Sequence, residues 1–195
     1  MIALARLVLA ALASSDVCFN HASSGVEFGP APAGMVCRDP SMLDPSRGDS
    51  AVGYKSSRPD RDLTVTVFVY RRLPPCCQPD DTVEQHLAEV RAEVAHRYTD
   101  LTCEPWSPKD QPRMIGLRCT GHYPRISPRA LVTFMALEEV GPWWLKVRAT
   151  TFAEEGEDSE VDIEAILASI RRPTAGESGE KEPRPEGPDV EGETP

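Results

Sequence analysis

Alternation is clearest between Asp62 and Arg72, where Leu63, Val65, Val67 and Val69 take one phase and Thr64, Thr66, Phe68 and Tyr70 the other. A period of two in β-branched and aromatic residues predicts a strand with one apolar face and one mixed face. Ala51–Ser56 is predicted to pair with it antiparallel, because Ser57-Arg58-Pro59-Asp60 between them is turn chemistry. Met35-Val36-Cys37 reads as a short earlier strand. The period then changes. Val83, Leu87, Val90, Val94 and Tyr98 recur at steps of three and four, which places them on one face of a helix. Asp81 or Thr82 can cap that helix, with Glu84 or Gln85 as the return partner. Three longer strands follow over Met114–Tyr123, Arg129–Glu138 and Trp143–Phe152, the last two joined by a turn at Glu139-Val140-Gly141-Pro142. In the middle one, Leu131 and Leu137 share one phase while Val132, Phe134 and Ala136 share the other, so both faces of the sheet are predicted to be covered. A second helix is expected from near Ser159, burying Ile163, Ile166, Leu167 and Ile170, with Arg171 and Arg172 at its C-terminal dipole and Pro173 as its stop.

Hairpins interrupted by two helices predict an α+β domain: an antiparallel sheet of about five to six strands covered by two main helices. Val52-Gly53-Tyr54, then Leu63-Thr-Val-Thr-Val-Phe-Val-Tyr70, then an amphipathic helix, three long strands and a short final helix resemble the PsbP/DcrB-like superfamily over about Val26–Arg172. The resemblance implies a small binding or accessory factor. That superfamily shares no active site, so no catalytic residue is carried over to this chain.

The ends of the 195-residue chain differ from its middle. Met1–Ala13 holds one early cation, Arg6, an apolar run Leu7–Ala13, and Ala11-Leu12-Ala13 in the small-x-small pattern of a cleavage site. It is expected to be a signal peptide, which makes the protein exported, either periplasmic or extracellular. Residues 14–24 read as a polar spacer, 25–172 as a single domain, and 173–195 as a disordered tail rich in proline, glycine and acidic residues. Ser15, Asp16 and Val17 before Cys18 do not fit a lipoprotein signal, so no lipid anchor is expected. No later run reaches the ~20 apolar residues of a membrane-spanning helix. A third reading keeps the protein cytosolic, with the apolar start an unprocessed helix.

Half of the net charge of −10 comes from the tail, which leaves the body only mildly acidic and gives no phosphate-seeking surface. Nucleic acid is not an expected partner. The expected partner is a protein or small molecule whose identity stays open.

Six cysteines behind an export signal point to disulfides: Cys18, Cys37, Cys76, Cys77, Cys103 and Cys119. Cys103–Cys119 is the expected pair. The other four leave three pairings. Cys76-Cys77, in the loop Leu73-Pro-Pro-Cys-Cys-Gln-Pro79, carries the enzymatic alternative, a thiol-redox protein. Redox relays use Cys-x-x-Cys at a helix start, where the dipole lowers a thiol pKa. The two thiols are therefore expected to bond separate partners, such as Cys37 and Cys18.

No metal site and no cofactor are expected. His86 and His96 stand ten residues apart on one helix, about 80° out of alignment at ~100° per residue. With His21 in the spacer and His122 on a strand, all four histidines read as surface residues. A Gly-x-Ser-x-Gly elbow and a phosphate-cradling glycine loop are both absent from the sequence. The carboxylate pairs Asp80-Asp81, Glu138-Glu139 and Glu154-Glu155 fall at predicted turns and helix starts, where capping and solvation account for them. What remains is Trp143-Trp144. Trp143 is in phase with Leu145, Val147 and Ala149, a core face. Trp144 shares its phase with Lys146 and Arg148, and Arg118 and His122 join that face in one of the two possible registers. An aromatic ring among cations could hold an anionic ligand or partner. The plainer reading packs Trp144 under a helix while the cations reach water.

Overall fold

The computed structural model describes residues 17–73 and 80–173. The first strands are short: β1 (Phe19–His21), β2 (Val26–Phe28), β3 (Met35–Cys37) and β4 (Ser41–Asp44). The long ones follow the sequence periods: β5 (Asp49–Ser56), β6 (Thr64–Arg71), then helix α1 (Val83–Ala95), β7 (Thr99–Trp106), β8 (Ile115–His122), β9 (Ala130–Val140) and β10 (Trp143–Phe152). Helix α2 (Gly156–Ser169) and the two-residue β11 (Ile170–Arg171) complete the fold.

The main sheet runs β3-β5-β6-β10-β9-β8-β7, with β4 also paired to β5, and every pairing is antiparallel. It has eight strands rather than five to six. The predicted β5–β6 hairpin forms, Val52 opposite Val67. β10 then returns to pair with β6, Val147 opposite Val67, so β10 lies at the centre between β6 and β9. The extra strands are β4 and β7, both at edges. β1, β2 and β11 form a separate three-stranded sheet.

The two helices cover opposite faces. Ile163, Ile166 and Leu167 of α2, with Val26, Phe28 and Ile170 of the small sheet, bury the face that carries Val65, Val67, Leu145, Val147 and Trp143. Leu87, Val90 and Val94 of α1 pack on the other face, against Met135, Leu137 and Trp144. Thr82 caps α1: its hydroxyl accepts from the Gln85 amide at 3.3 Å, and Gln85 Oε1 accepts from the Thr82 amide at 2.8 Å. Such a box supplies about 1 kcal/mol at an end whose amides would otherwise lack partners.

Several expectations are corrected. The spacer assigned to residues 14–24 overlaps folded chain, since β1 lies within it and His21 and Ser24 are buried. His21 Nδ1 meets Ser24 Oγ at 2.7 Å, Nε2 meets the Gly48 carbonyl at 2.6 Å, and the ring stands edge-on to Trp143. His21 and His86 are therefore buried rather than surface histidines. The turn after β9 shortens to Gly141-Pro142, with Gly141 in the left-handed region at φ 57°. Glu138 is not a solvated turn residue but lies buried in β9, where it accepts from Arg172 at 2.8 and 3.0 Å. Arg171 reaches Glu27 on β2 rather than the end of α2, whereas Arg172 pairs with Glu138 and also donates to the carbonyl of Ile170, the C-cap residue of α2, at 2.9 Å. Tyr54, fully buried on β5 with its hydroxyl 3.5 Å from the Gly29 carbonyl, has its phenol pushed up to about 12 by burial.

Candidate binding site

α1 is 13 residues long, about 20 Å, and a helix is about 10–12 Å across. Strands stand ~4.8 Å apart, so the seven that lie side by side, β3 and β4 sharing one edge of β5, make a face roughly 29 Å wide. One helix cannot cover it. α1 lies against β8 and β9 and over Trp144, and it leaves the other end of β6 and β10 open. There a groove of about 420 Å³ forms.

Its floor is the mixed phase of the two central strands: Thr64, Thr66 and Phe68 from β6, and Arg148, Thr150 and Phe152 from β10. The register sets Arg148 opposite Thr66 and Thr150 opposite Thr64. Tyr98, just past the end of α1, and Ile126 and Ser127, before β9, supply walls, and Asp62 stands at the rim. Ile126 is 68% exposed at this edge. A chain of hydroxyls runs from the wall to the floor: Tyr98 to Thr133 at 2.8 Å, and Thr133 to Thr150 at 3.2 Å. Arg129 lies 3.5 Å above the Phe152 ring and pairs with Glu154, which fixes the ring and neutralises that cation. The groove thus offers two phenyl rings, several hydroxyls and one guanidinium. Such a mixture binds small molecules: apolar area for affinity, a few polar groups for orientation.

The five residues singled out in the sequence divide between two faces. Trp144, Lys146 and Arg148 share the α1 side, and of these Arg148 lines the groove. Trp144 is fully buried, stacked on His86 at 4.9 Å and with the Arg72 guanidinium 4.7 Å from the centre of its ring. His86 is held by the Tyr70 hydroxyl at 2.6 Å and by Glu89 at 3.1 Å, which makes this a packed polar anchor for α1. Lys146 Nζ sits 4.8 Å from the centre of Phe68 and 5.2 Å from that of Tyr70. Arg118 lies on the opposite face, because its β9 partner is Phe134, and it pairs with Glu104 at 2.7 Å. His122 shares that opposite phase, across from Ala130, and is exposed. The five do not form one site. The groove residues missed in the sequence, Thr64, Thr66 and Phe152, had one signal: a central strand that keeps threonines in phase with aromatics.

Cys103 is bonded to Cys119 across β7 and β8, as expected. Cys18 is bonded to Cys37, which ties the start of β1 to β3 and corrects the expectation that these two pair with Cys76 and Cys77. Cys76 and Cys77 lie outside the described residues, and so does the redox alternative they carry. The two disulfides fit an oxidising compartment. Among the described residues no three metal-ligating side chains come together, and no helix is long and apolar enough to cross a membrane.

No protein-family model matches the chain, and no curated protein matches it. Among solved structures it is similar to the solution structure of cyanobacterial PsbP (CyanoP) from Synechocystis sp. PCC 6803, at 14% identity. That match covers 80% of this chain and 91% of the other, with a TM-score of 0.45.

Proposed function

We propose that the protein is an exported, non-enzymatic binding protein, and that the groove on the α1 face is its working site. The groove carries the reading. It is concave, lies on the rigid centre of the sheet, and combines apolar rings with a few convergent polar groups. Export rests on the signal-like residues 1–13 and on two disulfides of the kind that oxidising compartments sustain. The proposed organisation keeps residues 1–13 as the leader and 173–195 as the acidic tail.

The test is titration of the full-length, disulfide-intact protein with phenylnaphthylamine, a neutral aromatic fluorophore. Saturable binding is expected, lost in Thr66→Trp and in Thr150→Trp, which fill the floor from neighbouring strands. Circular dichroism checks that each variant keeps its fold. Binding that both fillings leave unchanged, or no binding by the wild type, overturns the assignment.

A further inference from the structure

We infer that the groove selects small amphipathic anions, with one oxyanion group on Arg148 and an apolar body against Phe68 and Phe152. The inference rests on the groove being a binding site and adds the chemistry of its occupant.

The other half-buried arginines among the described residues are all engaged. Arg61 pairs with Asp158 and Asp162, Arg72 with Glu139, Arg118 with Glu104 and Arg172 with Glu138. Arg47 donates to the Leu73 carbonyl at 3.0 Å, and Arg71 lies over the Trp143 ring at 4.6 Å. Arg148 departs from this pattern. It sits mid-strand on β10, between Thr66 of β6 and the fully buried Met135 of β9, and among the described residues it makes no hydrogen bond and no ion pair. The chain has 31 acidic residues against 21 basic ones, so carboxylates are not scarce. A guanidinium is a planar fork of five donors that matches carboxylate and phosphate oxygens in pairs.

The surroundings refine the class. Thr66 stands directly opposite Arg148, and Thr150 is two residues along the same face, so hydroxyl donors flank the fork. Phe68 and Phe152 lie at opposite ends of the floor with Arg148 between them in register, which suits a ligand whose charged group and apolar body are close together. Asp62 at the rim is the one carboxylate lining the groove. A single acidic group on Arg148 is therefore the charge this groove accommodates, since a second would approach Asp62.

The test compares two probes with the same aromatic body, neutral phenylnaphthylamine and anilinonaphthalene sulfonate, on the full-length protein and on Arg148→Gln. The wild type is expected to bind the sulfonate at least about ten-fold more tightly than the neutral probe, about 1.4 kcal/mol. Arg148→Gln should abolish that preference, read as the ratio of the two affinities, while Arg148→Lys keeps part of it as a point charge. Decanoate should displace the sulfonate and decanol should not, and decyl phosphate in the same competition separates carboxylate from phosphate ligands. If Arg148→Gln binds both probes as the wild type does, the anion inference is overturned while the groove assignment stands. If neither probe binds the wild type, or filling at Thr66 affects neither, the groove assignment falls and takes this inference with it.

Discussion

Alkaline pH should unfold this protein through one buried phenol. Tyr54 is fully buried on β5, beneath the small sheet, and its pKa is pushed up to about 12 because burial penalises the phenolate. In the unfolded chain a tyrosine titrates near ~10. A raised folded pKa means the folded state holds the proton more tightly. The stability this contributes is complete below about pH 10 and lost as pH rises from about 10 through about 12. Two pKa units amount to about 3 kcal/mol in full, of which about half is lost by about pH 11. The perturbation is Tyr54→Phe, which keeps the ring and removes the titrating group. Near neutral pH it should cost about 1 kcal/mol, since the hydroxyl's partners are the Gly29 carbonyl at 3.5 Å and the Ser169 side chain. Urea unfolding of both proteins from about pH 8 to about pH 11.5 gives the comparison. The wild type should lose ground to the variant steadily above about pH 10. If the two curves fall in parallel, Tyr54 ionises as freely in the folded protein as in the unfolded one, and the burial argument fails.

Two further outcomes are expected. A Cβ on Gly116 would lie 2.3 Å from the Met135 carbonyl oxygen and 3.1 Å from the Trp106 ring, so Gly116→Ala should force β8 off β9 and cost more than ~2 kcal/mol, read by urea melts. Replacing Cys103 and Cys119 together by serine reopens a loop spanning 16 residues and should cost ~3 kcal/mol in the chain-entropy model, read by the same melts beside the wild type without reductant.

The central strands were legible because each buries its alternate residues on a continuous apolar face. Val65, Val67 and Val69 in β6 and Leu145, Val147 and Ala149 in β10 give a period that needs no knowledge of neighbours. The α1 box at Thr82 and Gln85 was legible for a similar reason, as both partners lie within four residues. β7 was not: it is an edge strand with most residues exposed and a proline at Pro105, so no burial imprints an alternation on it. β1 and β2 were hidden as well, since three-residue strands gain their order from Ile170 and Arg171, which pair with Phe28 and Glu27 from the far end of the domain.

The sequence by itself determined the α+β class, the central strands, the two helices and the phase in which Trp144, Lys146 and Arg148 travel together, because these follow from local periodicity. Only the tertiary structure decided which face each phase meets. The β8–β9 register sends Arg118 to the far side with Phe134, α1 closes over Trp144, and the width that one helix cannot cover leaves Arg148 beside an open groove. Register and coverage are set by contacts between distant segments, and such contacts leave no period in the chain.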